Sequence, residues 1–358
     1  MYCSFTIKRF RCFRELTIEP LARVNLITGM NNVGKTALLE AIFLQLGPNN
    51  PELAIRINAL RGVTTFDRSN IEEELWGSLF WSYDSSVPIE LENKNENGLR
   101  SSLRISLDKP IATELPTGGN GNSHIQKSIG SMTTITPSRE LKFVYADDSG
   151  QSGNARAFIL GDGIKVELAL LQPFPLGTLL TTGNRTSLDD AKRFSKLEAV
   201  GRQDEIVPTL KLLEPRLRRL AVLVLGGAPT INGDINIGRL IPLPMMGEGT
   251  GRLLSLMLAI FDSPGGVVLV DEIENGLHYS VMVEVWKAIA AAARRSETQI
   301  ISTTHSWECI KAAHEAFETS EMYDFRLHRL DRNKDEIRVV TYDREMLNAV
   351  MVTDLEVR

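Results

Sequence analysis

Apolar and polar residues alternate through two short runs between Ser4 and Ile18, split by Arg11-Cys12-Phe13-Arg14. Alternation of that length predicts a pair of strands. The largely apolar run 24–28 predicts a buried strand, and 37–46 predicts a helix. The pattern fades through 48–61, where Pro and Asn clusters mark loops. A helix is expected over 70–83, with Ile71, Leu75 and Leu79 on one face, then strands at 87–93 and 101–108. Residues 110–140, rich in Gly, Ser, Thr, Asn and Pro, read as an exposed insert without a core. Alternation resumes at 141–146, 155–160 and 164–168. The joining sequences Asp147-Asp148-Ser149-Gly150 and Gly161-Asp162-Gly163 have hairpin-turn chemistry, which accounts for the Asp pair without a metal. Helices at about 188–199 and 202–213 and strands at about 220–225 and 235–242 follow.

From Arg252 onward, helix and strand patterns alternate again. A helix carries Leu254, Met257, Leu258 and Phe261, and strands at 267–270 and 299–303 alternate with helices at 279–294 and 306–317. A hairpin around Asp331-Arg332-Asn333-Lys334 and a short helix at 345–350 close the chain. Three segments are expected: 1–50 and 244–358 as two parts of one α/β core, and 51–243 as a β-rich and helical insert. No internal repeat is visible, and the lack of sustained heptads excludes long coiled-coil arms.

The chemistry begins between the 24–28 strand and the 37–46 helix, at Gly29-Met30-Asn31-Asn32-Val33-Gly34-Lys35-Thr36. Strand, Gly-rich loop, then helix is the setting a phosphate-binding loop requires. The glycines and the asparagines, which tolerate a left-handed backbone, turn successive N–H groups inward. The positive end of the helix then faces the anion. Lys35 is expected to reach the β- and γ-phosphates of ATP, and the Thr36 hydroxyl to ligate Mg²⁺. At the other end of the chain, Val267-Val268-Leu269-Val270 runs into Asp271-Glu272, as a Walker B strand does. Asp271 is expected on Mg²⁺ and Glu272 beside the attacking water.

The chain has 358 residues, 43% of them hydrophobic and 24% charged. That is ordinary for a globular protein with one large core or two modest ones. No apolar run is long enough to span a membrane, and Lys8, Arg9 and Arg11 interrupt any signal-like segment. Cys3, Cys12 and Cys309 have no pair spacing, so a cytoplasmic setting is expected. A net charge of −5 excludes coating nucleic acid by bulk electrostatics but allows a local basic patch. Glu214-Pro215-Arg216-Leu217-Arg218-Arg219 reads as a solvated helix end rather than such a patch.

Asp271-Glu272-Ile273-Glu274-Asn275-Gly276-Leu277-His278 resembles the Walker B motif and D-loop of ABC-type ATPases, particularly the RecF/SMC/OLD branch (OLD, overcoming lysogenisation defect). Arg11 and Phe13 resemble that branch's N-terminal strand pair, whose arginine approaches the nucleotide. Met246-Gly247-Glu248-Gly249-Thr250-Gly251-Arg252 resembles the degenerate signature of OLD-like ATPases, which are grouped with the AAA family. Ser302-Thr303-Thr304-His305-Ser306 resembles the switch segment, so His305 is expected to hydrogen-bond the γ-phosphate.

The resemblance implies a P-loop NTPase of ABC-ATPase type: an α/β fold with a mixed or parallel sheet flanked by helices. Catalysis falls to Glu272, Lys35 and His305; ATP binding to Gly29 through Thr36 and to Arg11; Mg²⁺ to Thr36 and Asp271. It further implies a head-to-tail homodimer with two sandwiched ATP molecules, in which Gly247, Glu248, Gly249, Thr250 and Asn275 meet the nucleotide of the other subunit. Two features depart from the family pattern, the Q-loop and the signature, in which Gly247 stands where a serine would bind phosphate and Glu248 replaces a glycine. No glutamine lies between Gln45 and Gln126 to serve as a Q-loop residue, and Gln45 is expected to face solvent. The Asp/Glu set of a Toprim nuclease is absent. The expected role is therefore slow or partner-stimulated ATP hydrolysis controlling a separate effector, a nuclease or toxin, or DNA, in phage defence or genome maintenance. A RecF-like repair clamp and a nucleotide-gated scaffold with little turnover are the alternatives.

Overall fold

The computed structural model describes residues 1–62, 75–108, 139–160, 163–169, 174–183, 187–334, 336–353 and 357. Strands β1 (Tyr2–Phe10) and β2 (Phe13–Ile18) form the hairpin that the alternation predicts, with Phe5, Ile7, Phe10, Phe13, Leu16 and Ile18 turned inward. Strand β3 (Val24–Gly29) is buried along its whole length and leads into helix α1 (Lys35–Leu46). Residues 48–61, expected as loop, contain helix α2 (Glu52–Leu60). Pro51 supplies the preset φ of a helix start, and Ala54, Ile57 and Asn58 are its buried face. Of the helix expected over 70–83, residues 70–74 lie outside the described residues; the rest includes the short 3₁₀ turns Gly77–Leu79 and Trp81–Tyr83.

Strands β4 (Ile89–Asn95), β5 (Arg100–Asp108), β6 (Glu140–Asp147), β7 (Ser152–Leu160) and β8 (Gly163–Glu167) extend the first hairpin. Together they make a seven-stranded antiparallel sheet in the order β2-β1-β4-β5-β6-β7-β8. The exposed insert expected at 110–140 falls outside the described residues except at its end, where Glu140 is buried and begins β6. A four-residue strand, β9 (Gly177–Leu180), was not legible. It has no room for alternation, and a Cβ on Gly177 would lie 2.9 Å from Leu46 of α1.

Helix α3 (Ser187–Ala199) follows as expected, but 202–213 is not one helix. Pro208 confines it to a 3₁₀ turn and the single turn Val207–Leu210. Strands β10 (Arg219–Leu225), β11 (Ala228–Asp234) and β12 (Leu240–Pro242) form a small antiparallel sheet. The single strand expected over 235–242 is broken at Asn236 and Gly238, both at positive φ. Arg216 pairs with Glu214 and Arg219 with Asp234 at the entry to this sheet.

Helix α4 (Glu248–Asp262), strand β13 (Val267–Val270), helix α5 (Met282–Arg295), strand β14 (Gln299–Thr303) and helix α6 (Trp307–Glu318) then complete the nucleotide-domain pattern. The hairpin β15 (Phe325–Asn333) and β16 (Glu336–Tyr342) and helix α7 (Arg344–Thr353) end the chain. The second large sheet runs β16-β15-β3-β14-β13-β9; its pairs are parallel except β15–β16. Segment 51–243 thus supplies strands to both large sheets.

Side chains alternate through the parallel sheet into two cores. Ile27, Val267, Leu269 and Ile301 face α1 and the antiparallel sheet, whereas Leu26, Val268, Val270 and Ile300 face α4, α5 and α6. Helix α1, pressed between the two sheets, is buried at every position from Ala37 to Leu46. Gln45 is buried with it and donates to Ser101, so it does not face solvent.

His328 on β15 sits between Thr341 Oγ1 at 3.0 Å and Asn25 Oδ1 at 3.4 Å, joining β16 to β3. Burial, helped by Arg326, lowers its pKa from 6.5 to about 3. The unfolded chain therefore takes up this proton below pH 6.5, while the folded chain resists until about pH 3. Stability should fall across that window, by at most about 1.4 kcal/mol per pH unit. Urea titrations between pH 7 and 4 should show this slope, and His328→Asn should flatten it.

Candidate active site

The loop between β3 and α1 curls because its glycines permit it. Gly29 has φ +139°, and a Cβ there would lie 2.5 Å from the Leu330 carbonyl oxygen. Gly34 has φ +112°, and its Cβ would lie 2.7 Å from Cys12 Sγ and 2.8 Å from Phe13 Cζ. Asn32 also has a left-handed backbone, at φ 62°. Met30, Asn31 and Asn32 are exposed, and Val33 is buried as the loop's anchor. No side chain caps the start of α1, so its first N–H groups face the loop's concave side. Lys35 Nζ donates to the carbonyls of Gly29 at 2.8 Å and Met30 at 3.1 Å, closing the loop on itself.

Asp271 stands at the end of β13, and the parallel register brings it to that loop. Thr36 Oγ1 donates to its two carboxylate oxygens at 3.1 and 3.2 Å. Thr303, ending β14, donates its hydroxyl to Asp271 Oδ1 at 2.7 Å and accepts the Glu272 N–H at 2.8 Å. Glu272 has φ 50°, a conformation that costs a non-glycine residue of order 1–3 kcal/mol. Two clasps hold it there: Thr303, and the buried Arg252, whose guanidinium donates to the carbonyls of Asp271 and Glu272. The Glu272 side chain remains 41% exposed. His305 lies beside it, with Nδ1 3.8 Å from Glu272 Oε1 and 3.2 Å from Glu274 Oε1.

Gly34, Lys35, Thr36, Asp271 and Glu272 line an open cleft of about 390 Å³. Arg11, Cys12 and Arg61 line it too. Burial lowers the Lys35 pKa, while Asp271, Glu272 and Glu274 act in the other direction. Arg11 is committed elsewhere: Nε lies 2.6 Å from Glu40 Oε2, and a terminal nitrogen donates to Asn58 Oδ1 at 2.8 Å. Arg61 binds both oxygens of the same buried Glu40, at 2.6 and 2.9 Å, and is the more exposed of the two arginines.

These residues fit ATP with Mg²⁺. The uncapped helix start and the glycines that exclude a Cβ suit a polyphosphate. The Thr36 hydroxyl and the Asp271 carboxylate, already within hydrogen-bond distance, are hard oxygen donors suited to Mg²⁺.

The signature-like residues lie apart from this cleft. Gly247, at φ 110°, ends the 3₁₀ turn Leu243–Met246 and precedes α4. Gly247 and Glu248 are exposed, whereas Gly249 and Thr250 are buried within the chain. Gly249 touches the D-loop: a Cβ there would lie 2.1 Å from the Gly276 carbonyl oxygen. Asn275, half-buried, donates its N–H to the Glu272 carbonyl at 3.0 Å.

Sequence reasoning missed Thr303, Arg252, Glu274 and the Arg61–Glu40 pair as parts of the site. The first three lie inside motifs already singled out, one or two residues from the positions chosen. Arg61 carried no signal, because the helix that delivers it had been read as loop.

Comparisons with known proteins bear on the family and the fold. The family described as "AAA domain, putative AbiEii toxin, Type IV TA system" matches residues 24–308. A protein of Helicobacter pylori (strain ATCC 700392 / 26695) named ATP/GTP phosphatase is 23% identical over 340 residues, 87% of each chain. The DNA replication and repair protein RecF of Idiomarina loihiensis (strain ATCC BAA-735 / DSM 15497 / L2-TR) is 46% identical over 41 residues, 12% of each chain. Among solved structures, an Smc head bound to the C-terminal winged-helix domain of ScpA has the same fold, with a TM-score of 0.51 at 11% identity. That alignment covers 97% of this chain and 99% of the other.

Gly34→Ala should lose nucleotide binding and stability together, since it meets both a positive φ and the Cys12–Phe13 wall. A loss of about 1–3 kcal/mol is expected in denaturant titrations. No saturable fluorescent-ATP signal should remain.

Proposed function

The chain belongs to the AAA-domain family matched over residues 24–308, an ATPase of AAA/ABC type, and from that premise we propose that it hydrolyses ATP as a nucleotide-driven dimer. The observation that carries this reading is the meeting of Thr36 and Asp271 beside Lys35, with Glu272 exposed next to them. In this reading Lys35 leaves the Gly29 and Met30 carbonyls to bind the β- and γ-phosphates. Thr36 and Asp271 would hold Mg²⁺, which when bound would supply positive charge against that developing on the phosphates. Glu272 takes the proton of the attacking water as the new P–O bond forms and the bond to ADP breaks. His305 steadies the γ-phosphate, and Gly29 through Gly34 cradle the chain of phosphates.

Within one chain, the exposed Gly247 and Glu248 have no nucleotide to meet, because they do not line the cleft. A second copy placed head to tail would bring that turn and Asn275 to the nucleotide's open side. Binding would close such a dimer and hydrolysis would open it. The family description, "putative AbiEii toxin, Type IV TA system", supports a protein partner for the dimer; in our reading that partner is an effector, a nuclease or toxin, in phage defence. In this reading the chain is an OLD-like ATPase that acts in the cytoplasm. The identity to RecF over 41 residues favours a second reading, a clamp on duplex DNA in genome maintenance.

Glu272→Gln tests the core of the proposal. Turnover should fall about 10²–10⁴-fold, the range for loss of a general base, while ATP still binds and light scattering reports an ATP-dependent dimer. Equal, negligible turnover in both proteins would instead mean a nucleotide-gated scaffold. A chain that stays monomeric with saturating ATP would overturn the head-to-tail dimer.

A further inference from the structure

Glu274 has no role in the chemistry above, yet its surroundings are unusual for a carboxylate. Its side chain is only 8% exposed, although it lies two residues beyond Glu272. Oε1 accepts the backbone N–H of His305 at 2.9 Å and lies 3.2 Å from the ring Nδ1 of the same residue. Oε2 is buried without a hydrogen-bond partner. A buried carboxylate with half its capacity unused is a poor stabilising device. Among the described residues, the groups identified around it are His305, Glu272 on the same turn, the buried Cys309 thiol, and Lys35, whose charge feels all three carboxylates of this segment.

We propose that Glu274 is a positioning residue for ATP hydrolysis, holding the His305 ring and backbone in one orientation; this rests on the role given to His305 above. A carboxylate only accepts hydrogen bonds, so a favourable contact at Oε1 places the ring proton on Nδ1. The backbone contact fixes where the residue starts, and the ring contact fixes how the side chain turns. Nε2 is then the nitrogen left to face the reacting phosphate. The arrangement follows a general logic, in which an imidazole works only when a third group sets its tautomer and direction.

The clasp also spans the sheet. Glu274 belongs to the turn after β13, and His305 to the segment after β14, 31 residues later. The Glu274 carbonyl accepts the Leu277 N–H at 2.9 Å, and the Asn275 N–H returns to Glu272 at 3.0 Å. The turn is therefore tied to itself on one side and to the switch segment on the other. Moving His305 would require moving the turn that carries Glu272.

A double-mutant cycle with His305 tests this, using ATP turnover by the full chain. Glu274→Gln keeps the shape and an acceptor but removes the charge, and should lower kcat about tenfold while KM for ATP stays within about twofold. Glu274→Ala should lower kcat further. In a His305→Ala background, neither change should cost more than about another twofold, because the group they position is gone. A thermal midpoint near wild type for Glu274→Gln would separate this effect from unfolding. If Glu274→Gln lowers kcat by the same factor with and without His305, Glu274 acts independently and the proposal is overturned. Wild-type turnover in Glu274→Gln, with His305→Ala impaired, overturns it while leaving the role of His305 intact. Wild-type turnover in His305→Ala removes both.

Discussion

One carboxylate gathers the site. Asp271 receives the Thr36 hydroxyl from 235 residues earlier in the chain and the Thr303 hydroxyl from 32 residues later. Neither contact is local, so both depend on β3, β14 and β13 lying side by side in parallel register. Ile27 pairs with Thr303, and Ser302 with Val270, which brings the carboxyl ends of three strands to one edge. Open parallel sheets place their ligands outside those strand ends. Here the edge is also where the first turn of α1 begins, so backbone donors and hard oxygen ligands meet in one cleft.

The charges around that cleft are arranged by the same need to avoid an isolated buried ion. Glu40, on the buried stretch of α1, is compensated by Arg11 and Arg61 together. Breaking such a network strands a charge, which is far costlier than never having it. Arg252 serves differently: it satisfies two carbonyls on the turn that carries the strained Glu272. The strain at that residue is thus held by a donor from α4 and an acceptor from β14 rather than by its immediate neighbours. Conformations of this kind persist only when the surroundings over-determine them.

Much of this was legible from residue order. The Gly29–Thr36 loop, the carboxylates after β13 and the segment after β14 each carry a local pattern, and the contacts of Asp271 with Thr36 and Thr303 bring the three together. The failures have physical causes. Helix α2 was hidden because Pro and Asn before it read as loop, although proline also starts helices; with it went Arg61. The helix expected over 202–213 was over-read, since apolar spacing continued past Pro208, which interrupts it. Strand β9 is too short to alternate and joins the parallel sheet through burial rather than pattern. Gln45 was read as solvent-facing because polar residues on helices usually are, yet α1 has no solvent face. Glu274 and Thr303 were within view, but their partners lie across the sheet, where sequence spacing is silent.

That sandwiched helix has a mechanical corollary. A rod held between two sheets cannot tilt or slide without prising them apart and opening voids in both cores, and close-packed interiors resist that strongly. The element that closes the Gly29–Gly34 loop is therefore the anvil of the molecule. Any displacement of the fold must be borne by what lies at its rim: the turns that follow the strands, and the helices on the far face of the parallel sheet.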